Sequence, residues 1–197
     1  MQEQWKLIQK HLGISADGIP GPATAQALME SMNITPPARN WPSQAEVRSG
    51  TSVFGRAGDE DNLTTIRLPY TMRIAWEPDI TVSSLRCHKL IAEPLGRIFQ
   101  AALDHYGIEK IRSMGLDLYG GCFNDRAIIG GKATSMHAWG IAIDMDPDHN
   151  GLNTHAPKAV FSREEYVPFW QIVEREGAIS LGRLRDYDWM HFQFASL

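Results

Sequence analysis

Two short stretches near the end of the chain alternate between apolar and polar positions. In residues 141–145 the odd positions Ile141, Ile143 and Met145 are apolar, which leaves Ala142 and Asp144 on the opposite side. In residues 189–194 Met190, Phe192 and Phe194 form the apolar row, while His191 and Gln193 face the other way. Alternation with a period of two marks a strand with one buried face. Each stretch therefore gives one side to a core and the other to a cleft. His137 lies seven residues before Asp144, the wrong parity for an unbroken strand, and Gly140 permits the bend that brings it round. Asp188 has the wrong parity relative to His191, which places it at a turn just before the second strand.

Other segments follow the helical period. Residues 88–106 carry Leu90, Ile91, Leu95, Ile98, Phe99, Ala102, Leu103 and Tyr106 on one side, with Pro94 either kinking the helix or marking its true start. Residues 164–176 predict another helix, with Tyr166, Phe169, Trp170 and Val173 as its apolar face. Residues 65–76 carry several apolar and β-branched residues, and Pro69 limits them to an edge or irregular strand. A glycine-rich loop, residues 120–126, follows a short apolar run at 116–119. Helices set apart from short strands predict an α+β fold, a small antiparallel sheet with helices packed on one side.

The chain opens differently. Trp5, Ile8 and Leu12 recur at helical spacing, Gly13 ends that helix, and Asp17 with Gly18 makes a turn. Pro22 suits the first position of a second helix running to about Met32 and burying Ala25, Leu28 and Met29. A proline-rich stretch then breaks regular structure. The expected organisation is a helical hairpin over residues 1–34, a linker over 35–42 and a main domain over 43–197.

Composition narrows the function classes. The chain has 197 residues, 43% hydrophobic and 21% charged, enough for one well-buried domain and a small appendage. A net charge of −4 and the lack of a basic stripe argue against nucleic acid as a partner. No run approaches the roughly 18 apolar residues of a membrane span. The first residues lack the charged and apolar regions of a secretory signal, so synthesis in a cytoplasm is expected. Cys87 and Cys122 are expected as buried free thiols.

His137, Asp144 and His191 supply two imidazoles and one carboxylate, a common ligand set for a catalytic zinc that keeps one position open for water. Asp188 stands three residues before the last of them, where an acceptor for that water's proton fits. Each residue also has a plainer explanation: a hydrogen-bonded structural histidine, an aspartate capping a turn, a solvated loop carboxylate. Residues 146–151 match the opening of a calcium loop, but Pro157 occupies the twelfth position, where a bidentate glutamate belongs.

The pattern Ser-x-His-x-x-Gly-x-Ala-x-Asp, followed later by an acidic residue, two others and His, is satisfied by Ser135, His137, Gly140, Ala142, Asp144, Asp188 and His191. In these residues the chain resembles the zinc D-alanyl-D-alanine carboxypeptidases of the VanY type and the related L-alanyl-D-glutamate peptidases found as phage endolysins. The stretches around Leu68, Cys87, residues 121–126 and 146–150 are similar as well. The resemblance implies zinc held by His137, Asp144 and His191, and Asp188 as general base and then acid. It further implies Arg126 at the substrate carbonyl or developing oxyanion, and Ser135 seating the substrate.

The opening hairpin resembles about half of a peptidoglycan-binding module at Trp5, Gln9, Leu12, Gly13, Asp17, Gly18, Gly21, Pro22, Thr24, Ala27 and Leu28. Together these resemblances imply a zinc peptidase acting on bacterial peptidoglycan, with phage or prophage endolysin as the expected setting. Endopeptidase action at L-Ala–D-Glu is preferred to carboxypeptidase action at D-Ala–D-Ala. A monomer without stable membrane association, acting at the wall after release from the cytoplasm, is expected.

Overall fold

The computed structural model describes residues 1–14, 16, 18, 20, 24, 27, 28, 31, 32 and 41–197, in two compact units, residues 1–39 and 40–197. In the first unit, helix α1 (Gln2–His11) ends at Leu12 and is followed by Gly13 with φ +71°. Gln9 is buried within this unit: its amide oxygen accepts from Gly18 N at 2.7 Å and its amide nitrogen donates to Thr24 Oγ1 at 3.1 Å. The expected second helix lies largely outside the described residues, as does most of the expected linker at 35–42.

The second unit opens with a short helix, α2 (Gln44–Arg48), fixed by a capping box. Ser43 Oγ accepts from Glu46 N, and the Glu46 carboxylate accepts from Ser43 N at 2.7 Å. Gln44 N also donates to Ser196 O, so this helix is pinned against the C-terminal residues.

A six-stranded sheet follows, in the order β2-β1-β3-β4-β6-β5. Strand β1 (Leu63–Ile74) alternates as its sequence suggests, with Leu68, Tyr70 and Met72 buried and Thr65, Arg67 and Thr71 exposed. Of the two alternatives that Pro69 left, the edge and the irregular strand, it is the second: an interior strand with a break in its pairing. The ladder with β2 (Glu77–His88) shifts register between Arg67 and Met72, so Pro69 falls where no regular N–H bond is required. The edge on this side is β2, whose first half is largely exposed. The sheet is mixed, because β1 pairs in parallel with β3 (Leu118–Gly121) while its other ladders are antiparallel.

Helix α3 (Ala92–Ser113) packs across β1. It starts at Ala92, with Pro94 in its first turn, and is interrupted at Gly107 by a positive φ, close to the expected end at residue 106. Leu95, Ile98, Phe99 and Ala102 are fully buried on its inner face. Each of the three large ones contributes about 1.5–3 kcal/mol relative to exposure. Residues 164–166 form a 3-10 turn that leads into α4 (Val167–Arg175), which lies against α3 and β5 (Ile179–Ser180). No helix among the described residues is long and apolar enough to cross a membrane.

Candidate metal centre

Strands β4 (Ala142–Met145) and β6 (His191–Gln193) are antiparallel neighbours, and their register sets Asp144 directly opposite His191. Ile143 and Phe192, one step along each strand, are fully buried in the core. The parity argument therefore brings the carboxylate and the imidazole together. Asp144 Oδ1 lies 2.9 Å from His191 Nδ1.

His137 arrives by another route. Residues Met136–Trp139 form a 3-10 turn capped by Ser135 Oγ, which accepts from His137 N. The turn closes at Gly140 in the left-handed region, φ +66°. A Cβ there would sit 2.9 Å from Leu63 Cδ2 and 3.1 Å from His88 N, so the sharp exit needs glycine for both conformation and space. The turn leaves His137 Nε2 3.2 Å from Asp144 Oδ2.

Asp188 occupies a turn just before β6 in the left-handed region, φ +54°. That turn is held by Asp188 N donating to Leu152 O and Met190 N donating to Asn150 O. His137, Asp144, Asp188 and His191 are all more than nine-tenths buried, and they line one cleft with Ser135 and Arg126. Ser135 N donates to Arg126 O at 3.0 Å, which ties the arginine's backbone to the histidine turn. Gln44 and Arg48, one turn apart on α2, also reach this cleft, and Ile128, Leu181 and Met190 supply apolar walls.

The electrostatics separate the two aspartates. Burial pushes Asp144 up, but its contacts with His137 and His191 outweigh that and hold its carboxyl well below the usual range. Burial pushes Asp188 above its ordinary value, with the Asp144 charge adding to the shift. His191, His137 and Arg126 pull Asp188 the other way. One carboxylate is thus fixed as an anion, and the other is poised to exchange a proton.

The donor set fits a divalent ion. His137 Nδ1 lies 2.7 Å from the Cys122 carbonyl, which can only accept, so Nδ1 carries a hydrogen and the neutral ring presents its lone pair at Nε2. That Nε2 is buried and makes no hydrogen bond; its approach to Asp144 lacks hydrogen-bond geometry. Ligand atoms of His137, Asp144 and His191 all lie within 4.8 Å of one another, and among the described residues this is the one such group. Residues 146–151 offer no comparable cage. Pro147–Asn150 is a helical turn, and the Asp146 carboxylate is engaged by His149 Nδ1 and Asn150 Nδ2.

The remaining candidates have structural partners. Trp139 and Trp189 pack in the core, their ring nitrogens donating to Gly55 O and Asp186 Oδ1. His88 caps residues 89–91 by accepting from Leu90 N, and His155 contacts the Asp186 carbonyl. Cys87 and Cys122 are free and buried. Gln44 and Arg48 were missed as cleft residues from sequence, although the Ser43–Glu46 capping signature that places their helix is plain in it.

Residues 129–194 match a protein-family model described as D-alanyl-D-alanine carboxypeptidase. The matched span holds Ser135, His137, Asp144, Asp188 and His191, and leaves out Arg126 and all of α2. The match supports a metallopeptidase. No curated protein and no solved structure matches the chain.

Proposed function

We propose that this protein is a zinc-dependent peptidase that hydrolyses the stem peptide of bacterial peptidoglycan, with His137, Asp144 and His191 as the metal ligands. The observation that carries the reading is the convergence of three buried donors beside a fourth buried group, Asp188, whose Oδ1 has no hydrogen-bond partner. A structural zinc site is closed by four protein ligands, whereas a three-ligand set facing a cleft leaves room for solvent and substrate.

Bound there, zinc supplies a water of lowered pKa and a Lewis acid for the scissile carbonyl. The other roles fall to the chain's own side chains. Asp188 accepts the attacking water's proton at its carboxylate and returns it to the departing amine nitrogen, a task worth about 10²–10⁴-fold. Its elevated proton affinity suits both halves of that transfer. Arg126 acts on Asp188 through space and borders the same cleft, where its N–H groups can meet the carbonyl oxygen as negative charge builds. Ser135 lines the cleft while its Oγ caps the histidine turn. Arg48 brings a second guanidinium, and neither it nor Arg126 has an ion-pair partner among the described residues. Two unneutralised cations beside apolar walls suit a substrate rich in free carboxylates and alanine methyl groups.

Within this class the preferred bond is L-Ala–D-Glu, cut internally by an endolysin released to the wall, with the opening hairpin as a wall-binding element. Terminal D-Ala–D-Ala is the second reading, favoured by the description of the matching family. Incubation of defined disaccharide-pentapeptides with the zinc-loaded protein, followed by mass analysis, separates them. Freed tetrapeptide beginning at D-Glu marks the endopeptidase, loss of one terminal alanine the carboxypeptidase, and an unchanged profile refutes both.

A further inference from the structure

Gln193, two residues past the second histidine, is buried to 1% exposure on the ligand-facing side of β6. Its amide makes three contacts. The nitrogen donates to Ala195 O at 2.7 Å, and the oxygen lies 3.1 Å from His191 Nε2 and 3.2 Å from the Gln44 side-chain nitrogen. The Ala195 carbonyl has no hydrogen to give, so rotating the amide by half a turn would set two oxygens against each other. The same rotation would turn the Gln193 nitrogen onto the Gln44 nitrogen. The Ala195 carbonyl therefore fixes which way the Gln193 amide points, and the Gln44 amide nitrogen meets the oxygen so placed.

That orientation fixes the imidazole. An amide oxygen facing Nε2 requires a hydrogen on Nε2, and a neutral ring then has its lone pair on Nδ1. Nδ1 is the atom that lies 2.9 Å from Asp144 Oδ1. A bare nitrogen facing an anionic oxygen at that distance is repulsive unless a proton or a metal ion stands between them. His137 reaches the same carboxylate with the opposite atom, Nε2, because its Nδ1 is held by Cys122 O.

We propose that Gln193 is a positioning residue that holds His191 as its Nε2–H tautomer, so that Nδ1 is the metal donor, and that Gln44 on α2 locks Gln193 for this task. The effect expected of losing such an outer-sphere partner is about 10–100-fold in metal affinity. The inference rests on the metal-binding half of the proposed function and is independent of which bond is cut.

The test uses the full chain with histidine labelled in both ring nitrogens. Zinc dissociation constants come from competition with a chromophoric chelator, and ring-nitrogen spectra of the zinc-loaded protein show which nitrogen keeps its hydrogen. The wild type is expected to show His191 with hydrogen on Nε2, and Gln193→Met to bind zinc about 10–100-fold more weakly. Gln44→Ala, which removes one of the two donors to the Gln193 oxygen, should lose less. A wild-type spectrum with hydrogen on Nδ1 overturns the proposal even if the Met variant fails to fold. Equal zinc affinity in a folded Met variant also overturns it, while leaving the metal site standing. Failure of the wild type to bind zinc at all removes the site itself.

Discussion

Gly140→Ala strikes the link between backbone conformation and ligand placement. Gly140 ends the His137 turn with φ +66°, a region that costs an L-residue about 1–2 kcal/mol. The new methyl would also lie 2.9 Å from Leu63 Cδ2 and 3.1 Å from His88 N. Leu63 can rotate away, but His88 N is backbone and donates to Gly140 O at 2.9 Å, so relieving that contact pulls on a strand end. Overpacking of this kind costs about 1–3 kcal/mol, giving a loss of about 2–5 kcal/mol in all. That is a large share of the roughly 5–15 kcal/mol typical of a folded domain. Urea unfolding of the metal-free protein reads it as a lower midpoint at unchanged slope. Zinc affinity should fall with it, because the turn that carries His137 must shift. A variant within about 0.5 kcal/mol of wild type, with unaltered zinc affinity, would refute the claim that this glycine shapes the site.

Asp188→Asn should retain stoichiometric zinc by elemental analysis yet lose about 10²–10⁴-fold in turnover, and near-normal turnover would assign the proton transfer elsewhere. His88 is buried neutral, its pKa lowered from the ordinary 6.5 chiefly by burial. On acidification the unfolded chain takes up this proton first, so His88's contribution is intact above about 6.5 and declines as pH falls toward the lowered folded value. His88→Asn keeps an acceptor for Leu90 N, and its unfolding midpoint should depend less on pH between 7.5 and 5.5 than that of the wild type. Burial pushes the Cys87 thiol up to about 12 and raises Cys122 well above its ordinary value, so alkylation by iodoacetamide at pH 8 should require unfolding, which peptide mass mapping would show.

The site was legible because strands obey parity. Asp144 and His191 face one another for the reason their apolar neighbours Ile143 and Phe192 share a core. The two parity failures were as informative: each marked a backbone departure, a left-handed glycine at 140 and a left-handed aspartate at 188. The edge strand β2 was not legible, since an exposed edge buries little and only its last residues, among them Leu85 and Cys87, reach the core. Pro69 announced an edge or an irregular strand, and the fold takes the second, because a register shift absorbs the missing donor inside the sheet. Gln193 showed as the second polar residue on the ligand side of its strand. Its partners Gln44 and Ala195 come from a distant helix and from beyond the strand's end, so only the fold reveals its role.

The most direct test of a hydrolytic zinc centre is mass analysis of one purified disaccharide-pentapeptide incubated with the zinc-loaded chain and, in parallel, with zinc-loaded Asp188→Asn. Cleavage at a single stem-peptide amide by the wild type, with a trace or none from the variant, is the predicted result. An intact pentapeptide in both, from protein shown to hold one zinc per chain, would contradict it.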